Sequence, residues 1–151
     1  IAEDFEMIPV IRSNQTLLGV ITRRAVMDRM SKEQLSGLPT FSEQISQKVV
    51  LQANHFELTV EPSMLEKSGV LSNGVLTEVL TTVTRQLMMN SGKNLIIEQL
   101  LVYYLQAVQV DDTLRIETRI VRQTRRSAII DFDLYLNLQL VTKATVTLKI
   151  N

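Results

Sequence analysis

The sequence lacks cysteine and tryptophan altogether, has a single histidine, and carries no net charge, with 16 basic and 16 acidic residues. Without cysteine there is no disulfide, no thiol nucleophile and no cysteine-ligated zinc. A net charge of zero supplies no global positive field, so this chain is not expected to contact DNA or anionic lipid itself. A reducing compartment suits the composition, and we expect a cytoplasmic protein.

Long hydrophobic runs are also missing. No stretch approaches the roughly 20 apolar residues that cross a bilayer, and no signal peptide is recognisable, so no membrane association is predicted. The 151 residues, 45% hydrophobic and 21% charged, have the composition of a globular domain. The chain begins at Ile1 within what reads as structure, and we expect it to be a piece of a longer protein.

Few residues have the chemistry of a metal or nucleophilic site. His55 has no serine, cysteine or aspartate partner at a recognisable spacing, so we interpret it as an ordinary polar-face residue. No group of histidines and carboxylates has metal-ligand spacing, and there is no glycine-rich phosphate loop. No metal and no cofactor are therefore predicted.

The segment Ser68–Asn90 organises the rest of the chain. It opens on the turn signal Asn73-Gly74 and continues as a predicted helix over 74–90. Its threonines and valines are weak helix formers, so tertiary packing must hold this helix. Apolar residues recur at helical spacing and predict one buried face: Val75, Leu76, Val79, Leu80, Val83 and Leu87.

Strand patterns lie on both sides of this helix. Residues 48–61 predict a first strand with Phe56, Leu58 and Val60 on one face. Residues 94–108, 113–121, 128–136 and 144–150 follow the helix, and the last three predict an antiparallel meander on short turns. The residues expected to point inward are Leu114, Ile116, Ile120, Ala128, Ile130, Phe132, Leu134, Leu136, Ala144, Val146, Leu148 and Ile150.

The first thirty residues predict a separate small unit. Met7–Ile11 and Leu17–Ile21 read as strands around a turn, and Thr22 is placed to cap a helix over 23–30. So short a segment cannot bury a core of its own. Residues 31–47 are polar and read as the end of that helix and a linker, so we predict two domains, 1–38 and 39–151.

The N-terminal motifs resemble a CBS domain. IPVI followed by LLGVITRRAVM is similar to the closing half of that domain, in which Pro-Val precedes a short turn, Gly-Val-Ile-Thr and a helix. In adenosyl-binding members a threonine and an aspartate three residues later hold the ribose. Thr22 matches the threonine, but Ala25 stands at the aspartate position. The resemblance implies a C-terminal CBS fragment whose ribose binding is in doubt.

The remaining elements resemble the hotdog fold, an α+β architecture in which an antiparallel sheet wraps one long central helix. GVLSNGVLTEVL is similar to that family's loop into the helix, often His-Gly-Gly. VQVDDTLRIETRIVRQTRRSAIIDFDL resembles its Pro-x-x-Gly-Asp-x-Leu-x-Val and Gly-Arg-x-Ser passage, and ATVTLKI resembles its last strand. A CBS fragment joined to a hotdog domain resembles Gram-positive bacterial proteins regarded as transcription regulators, which add a helix-turn-helix region and a DRTGG domain.

Hotdog thioesterases bind acyl-CoA between two subunits, with the helix N-terminus polarising the thioester. This resemblance places Ser72, Asn73 and Gly74 at the His-Gly-Gly position and Thr81 where the catalytic acid would be. Threonine without a neighbouring base is a poor substitute. Glu78 is the only acid in the helix and is the candidate catalytic residue if the domain is a thioesterase.

The resemblance therefore favours ligand binding over catalysis, although whether the domain is an enzyme stays open. The predicted ligand is CoA or an acyl-CoA bound in a homodimer or larger homo-oligomer, with DNA contacted only through domains outside this chain. Two other hypotheses remain: an acyl-CoA thioesterase using Glu78, and a structural dimerisation module with an empty groove. The candidate ligand-binding residues are Asn73, Gly74, Glu78, Thr81, Thr82 and, for the CoA phosphates, Arg125 and Arg126.

Overall fold

The computed structural model describes residues 7–11, 17–22, 37–89 and 94–151. The chain separates into two compact units, 1–39 and 40–151. In the first unit, β1 (Met7–Ile11) pairs antiparallel with β2 (Leu17–Thr22), which confirms the two predicted strands. The predicted helix over 23–30 and residue 90, the last of the predicted central helix, lie outside the described residues. The identity of the first unit as a CBS fragment stays a prediction.

The second unit is a six-stranded antiparallel sheet packed on one long helix. Its described elements in chain order are α1 (Phe41–Lys48), β3 (Val49–Leu51), β4 (Phe56–Thr59), a short 3-10 turn (Pro62–Met64), α2 (Asn73–Leu87), β5 (Leu95–Tyr104), β6 (Thr113–Gln123), β7 (Ser127–Leu136) and β8 (Gln139–Ile150). The strand order across the sheet is β3-β4-β6-β7-β8-β5. This arrangement confirms the predicted hotdog fold.

Helix α2 is held by packing, as its composition requires. Val79, Leu80 and Val83 are completely buried, and the predicted apolar face is confirmed except that Leu87 is only half-buried. Three of its threonine hydroxyls donate to the carbonyl four residues earlier, those of Thr77, Thr81 and Thr84. These bonds satisfy the hydroxyl groups locally, so a threonine-rich helix can lie against an apolar sheet.

The core lies between α2 and the inner face of β6, β7 and β8. Strand β7 alternates without a break, and the side chains of Ala128, Ile130, Phe132 and Leu134 are at most 1% exposed. The outer face carries the polar partners Asp131 and Asp133. Burial of one face only is the pattern of a half-solvated antiparallel sheet, and it confirms the predicted meander.

Three sequence predictions in this unit are wrong in detail. The segment predicted as linker contains helix α1, which begins with a capping box between Thr40 and Glu43. The predicted strand 48–61 is a hairpin, because residues 52–55 turn between β3 and β4. Ile120, predicted among the inward residues, is 42% exposed although it lies opposite the buried Ile130, so the core does not cover this end of β6.

Two left-handed residues fix the turns that frame the sheet. Asp111 has φ 69° before β6, and Asn137 has φ 57° between β7 and β8. Aspartate and asparagine tolerate this conformation better than other side chains. None of the described helices is long and apolar enough to cross a membrane.

Candidate functional site

The first turn of α2 is anchored by its N-cap residue. Ser72 is the N-cap, and its Oγ accepts a hydrogen bond from the N–H of Gly74 at 3.2 Å. The Ser72 carbonyl accepts from the N–H of Leu76 at 3.0 Å. Since the first four N–H groups of a helix have no intrahelical partner, those of Asn73 and Val75 remain available to a ligand or water.

The loop before α2 is tied to the segment that follows β5. The N–H of Leu71 donates to the Val108 carbonyl at 2.7 Å, and the N–H of Ser72 donates to the Met64 carbonyl at 2.9 Å. A bridge also joins Val70 to Gln109. These bonds hold the helix start against the segment 105–109, which closes one side of a cavity.

That cavity has a volume of about 270 Å³ and lies beside the first turn of α2. Residues from the loop, the helix, the end of β5 and the start of β8 line it: Val70, Leu71, Asn73, Leu76, Tyr104, Leu105, Gln106, Ala107, Val108 and Thr142. Most of these side chains are apolar, and no charged side chain is among them. We call it the apolar cavity.

Of the five helix residues predicted to bind ligand, Asn73 lines the apolar cavity and Gly74 adjoins it in sequence. Glu78, Thr81 and Thr82 are not among its lining residues. At about 100° per residue, Glu78 lies roughly 140° around the helix axis from Asn73. The Thr81 hydroxyl is engaged by the Thr77 carbonyl at 3.0 Å. The structure therefore does not bring the helix candidates together in this cavity.

Glu78 has one unusual feature. Its Oε1 atom is buried and is the one buried side-chain oxygen without a hydrogen-bond partner in the described part of the chain. A buried carboxylate oxygen without a donor costs free energy. A second subunit or a ligand that supplied a donor here would remove that cost.

The predicted phosphate-binding arginines line a different cavity. Arg125, Arg126 and Lys149, with Ile150 and Asn151, surround a space of about 460 Å³ beside the β6–β7 hairpin. No acidic side chain lines it, so an anion there would meet three cationic groups. We call it the cationic cavity.

The hairpin that presents these arginines is fixed by Thr124. Its N–H donates to the Ser127 carbonyl at 2.8 Å, and its hydroxyl accepts from the N–H groups of Arg126 and Ser127. The N–H of Ile150 donates to the Arg126 carbonyl at 2.8 Å. The backbone is therefore ordered, whereas both arginine side chains are exposed.

The two cavities lie near opposite ends of β8. Thr142 lines the apolar cavity and Lys149 lines the cationic one, seven residues further along the strand. At roughly 3.3 Å per residue, these positions are about 23 Å apart. A single small group cannot reach both within one chain.

Between the two cavities, the outer face of the sheet carries ion pairs. Arg119 contacts Asp131 at 3.0 Å, and Lys143 contacts Asp133 at 2.8 Å. The hydrogen bonds from Arg119 and then from Thr145 hold the pKa of Asp131 below its ordinary value. The hydrogen bond to Asp133 raises the pKa of Lys143. Both shifts favour the charged forms of Asp131 and Lys143.

His55 makes local contacts. Its ring nitrogens lie 3.1 Å from Asn54 Oδ1 and 2.9 Å from Glu57 Oε1. Within the ranges that the structure describes, no three His, Cys, Asp or Glu side chains form a possible metal site.

Part of the sequence that builds this geometry matches a known protein family. Residues 68–137, from the loop before α2 to the turn after β7, match the model of the thioesterase superfamily. The apolar cavity and the cationic hairpin therefore both involve the segment that matches this family model.

Solved structures with this thioesterase-type fold include two with CoA ligands. A hypothetical thioesterase from Streptococcus pneumoniae TIGR4, crystallised with coenzyme A, has a TM-score of 0.62 at 23% identity, over 68% of this chain and 84% of that one. The protein smu.793 from Streptococcus mutans UA159, bound to acetyl-CoA, has a TM-score of 0.61 at 23% identity, over 69% and 87%. Zebrafish thioesterase superfamily member 2 has a TM-score of 0.67 at 18% identity, over 87% and 99%.

One curated relative extends over nearly the whole chain. The uncharacterized protein YtoI of Bacillus subtilis strain 168 is 23% identical over 159 residues, which cover 98% of this chain. The match spans 36% of YtoI, so the chain corresponds to about a third of the length of this relative.

Proposed function

We propose that residues 40–151 bind a CoA thioester without hydrolysing it and act as the ligand-sensing part of a regulator. The observation that carries the proposal is the apolar cavity at the capped start of α2, which contains no carboxylate. Free N–H groups and the helix dipole at this end favour a polarised carbonyl oxygen. The two streptococcal structures with CoA and acetyl-CoA support the ligand class.

The proposed ligand spans two subunits. In β5, Leu95 pairs with Ile150 at the cationic end of β8, whereas Tyr104 pairs with Thr142 at the apolar end. If the β5 strands of two chains pair antiparallel, the start of one meets the end of the other. The arginines of one chain would then approach the apolar cavity of its partner, so CoA phosphates and acyl group would contact different subunits.

The exposed edge of the sheet supports this dimer. Strand β5 is ten residues long and lies at the edge of the sheet. It exposes Ile96, Leu101 and Tyr103, of which Tyr103 is 55% exposed. A long apolar edge of this kind is normally covered by another chain.

The oligomeric state tests the dimer directly. Leu101→Lys places a charge on the β5 edge and should shift the protein from dimer to monomer in sedimentation at micromolar concentration. Val121→Lys is the matched control, because Val121 is 49% exposed and Leu101 is 47% exposed. A wild-type protein that sediments as a monomer contradicts the proposed interface.

The regulatory part of the proposal depends on the N-terminal motifs. The CBS-like sequences around β1 and β2 suggest a module that relays a change in subunit arrangement to a DNA-binding region outside this chain. Such a relay requires that the ligand prefer one arrangement of the two subunits. A cytoplasmic location is part of the same proposal.

The alternative function is acyl-CoA hydrolysis by Glu78. The unpartnered Oε1 of Glu78 favours it, because a free carboxylate oxygen can accept a proton from water. Its position around the helix, away from the apolar cavity, weighs against it.

Incubation with a panel of acyl-CoAs distinguishes the two functions. We expect the thermal midpoint to rise with ligand concentration without release of free thiol. Thiol release that is lost in Glu78→Gln would replace the binding proposal with the enzymatic one. The absence of both stabilisation and thiol release would leave only a structural dimerisation module.

A further inference from the structure

Helix α2 has one side that is not packed against the sheet. At about 100° per residue, four of its residues lie within about 60° of one another, away from the buried face of the helix. Two of them are exposed and two are half-buried, and we call them the polar seam: Gly74, Glu78, Thr81 and Arg85. They recur at i, i+4, i+7 and i+11, which is the spacing of the contact line in a pair of packed helices.

Both charges of the polar seam lack a partner within the described residues. Glu78 Oε1 is the one buried side-chain oxygen there without a hydrogen-bond partner. Arg85 is exposed and forms no hydrogen bond or ion pair with any described residue. The two side chains do not pair with each other, since seven residues correspond to about 10.5 Å along a helix, and helix side chains meet at spacings of three or four.

A second copy of α2 brings the two charges together. Consider two antiparallel helices related by a two-fold axis that passes between Thr81 and Thr82. Glu78 then faces Arg85 of the partner subunit, because the two positions lie equally far from the axis on opposite sides. Symmetry repeats the contact, so Arg85 faces the partner's Glu78. One two-fold contact therefore supplies a donor for each carboxylate and a counter-charge for each guanidinium group.

The proposed β5 interface is compatible with this helix pair. Antiparallel pairing of two β5 strands about a two-fold axis places both α2 helices on the same side of the joined sheet and makes them antiparallel. The seam itself is polar, and α2 is only about 22 Å long, so this contact is too small to hold two subunits alone. The β5 edge would supply most of the association, and the seam would fix how the subunits are oriented.

We infer that the polar seam of α2 is a self-complementary contact between two copies of this chain, held by two reciprocal ion pairs between Glu78 and Arg85. The inference rests on the dimer of the proposed function, and it gives Glu78 a role at the interface instead of a catalytic one. Opposite charges meet only in the antiparallel register centred between Thr81 and Thr82. In a parallel pair in register, like charges would face each other, so the seam selects one arrangement of the subunits.

Charge reversal and charge exchange test the ion pairs. Arg85→Glu places only carboxylates on both seams, whereas Arg85→Glu combined with Glu78→Arg exchanges the charges and restores two opposite pairs. Sedimentation over a series of concentrations gives the dissociation constant of each dimer. We expect Arg85→Glu to raise this constant about 30-fold or more, and the exchange to return it to within about threefold of the wild type.

Arg122→Glu is the matched control for charge. Arg122 is exposed on β6 and forms no ion pair within the described ranges. It should leave the dissociation constant within about threefold of the wild-type value, since it lies outside the seam. The thermal midpoint of each variant checks that the subunit remains folded.

Cross-linking tests the same contact without changing a charge. Because the sequence contains no cysteine, Thr81→Cys introduces a single thiol close to the two-fold axis. Mild oxidation should therefore join two subunits through one disulfide. Thr147→Cys is the matched control, since Thr147 is also half-buried but lies on the outer face of the sheet, opposite Ile129. It should remain uncross-linked.

The possible failures are distinguishable. A wild-type dimer that Arg85→Glu does not weaken, or in which Thr81→Cys forms no cross-link, contradicts the seam, although the β5 interface and the ligand proposal would stand. A wild-type monomer would remove the dimer and this inference together. If charge exchange restores the dimer in a protein that no acyl-CoA stabilises, the seam is supported and the ligand proposal is wrong.

Discussion

The two ends of β8 face cavities of opposite chemistry. At the Thr142 end the wall is apolar and backed by the core, whereas at the Lys149 end it is formed by exposed cationic side chains on a hairpin. The apolar cavity is built partly from residues that are buried in the core, namely Leu71, Leu76, Val108 and Thr142. The cationic cavity uses side chains that the fold does not need, so changes there should alter binding without altering stability.

The largest expected effect is at the cationic cavity. Replacing both Arg125 and Arg126 by alanine should weaken CoA-thioester binding by about 100-fold or more, because two charge-assisted contacts to phosphate are lost. The thermal midpoint should hardly change, since both side chains are exposed. Calorimetry at two salt concentrations measures the affinity and its reduced salt dependence.

Arg122→Ala is the control for this pair. Arg122 is also exposed and lies near the hairpin, but it does not line the cationic cavity. If Arg122→Ala weakens binding as much as the double variant does, the loss of affinity reflects the total positive charge near the hairpin. The contrast between the two ends of β8 would then not be supported.

A smaller effect is expected at the start of α2. A Cβ atom added at Gly74 would meet only Ser72 Oγ, at 3.6 Å, so alanine fits there. Gly74→Ala should therefore stabilise the fold by about 0.5–1 kcal/mol, and it should weaken ligand binding by roughly 10-fold if a thioester approaches this backbone. Thermal unfolding and calorimetry measure the two changes separately.

Gly37→Ala provides the comparison, because a Cβ atom there meets nothing within 4 Å and Gly37 does not line the apolar cavity. An unchanged affinity in Gly74→Ala would place the thioester away from the helix start.

The smallest expected effect lies between the two cavities. The pKa of Asp131 is lowered mainly by the hydrogen bond from Arg119, so the folded state binds its proton less readily than the unfolded chain. Its stabilisation is present above the unfolded pKa of about 3.9 and is lost as the pH falls through the lower folded pKa. Asp131→Asn should cost less than about 1 kcal/mol at pH 7, and the difference should shrink toward pH 2.

Urea unfolding of the wild type and Asp131→Asn between pH 2 and 7 would measure this difference. Glu98→Gln is the control, since Glu98 forms no ion pair within the described ranges. If the difference in unfolding free energy between the two proteins grew as the pH fell, the pKa of Asp131 would not be lowered in the folded state.

The fold could be predicted because the most regular hydrophobic patterns in the sequence belong to the most deeply buried helix and strand. The alternation of β7 and the apolar face of α2 each follow one period without a break, and both are confirmed. Ile120 shows where this reasoning fails, since it lies opposite the buried Ile130 and is still 42% exposed. The pattern of a strand predicts which face a residue lies on, but not how far the core covers that face. Helix α1 was missed although Thr40 and Glu43 form a capping box that the spacing Thr-x-x-Glu could have revealed.

The candidate site was less predictable, because cavities depend on contacts between distant segments. Asn73, chosen through its place in the helix loop, lines the apolar cavity, and its role in binding stays a prediction. Tyr104, Gln106 and Thr142 were missed, since nothing in a strand sequence shows which of its residues ends beside a helix start. Glu78 and Thr81 were chosen by spacing along the chain, and the rotation of the helix separates them from the cavity that Asn73 lines.

The left-handed conformation of Asn137 has a consequence for ligand chemistry. The tight turn at Asn137 and Leu138 determines which residues of β8 face inward. As a result, Thr142 rather than Lys143 faces the interior. Inserting one residue in this turn would direct the ammonium group of Lys143 into the apolar cavity. The side chains that line this cavity therefore depend partly on a turn that lies outside it.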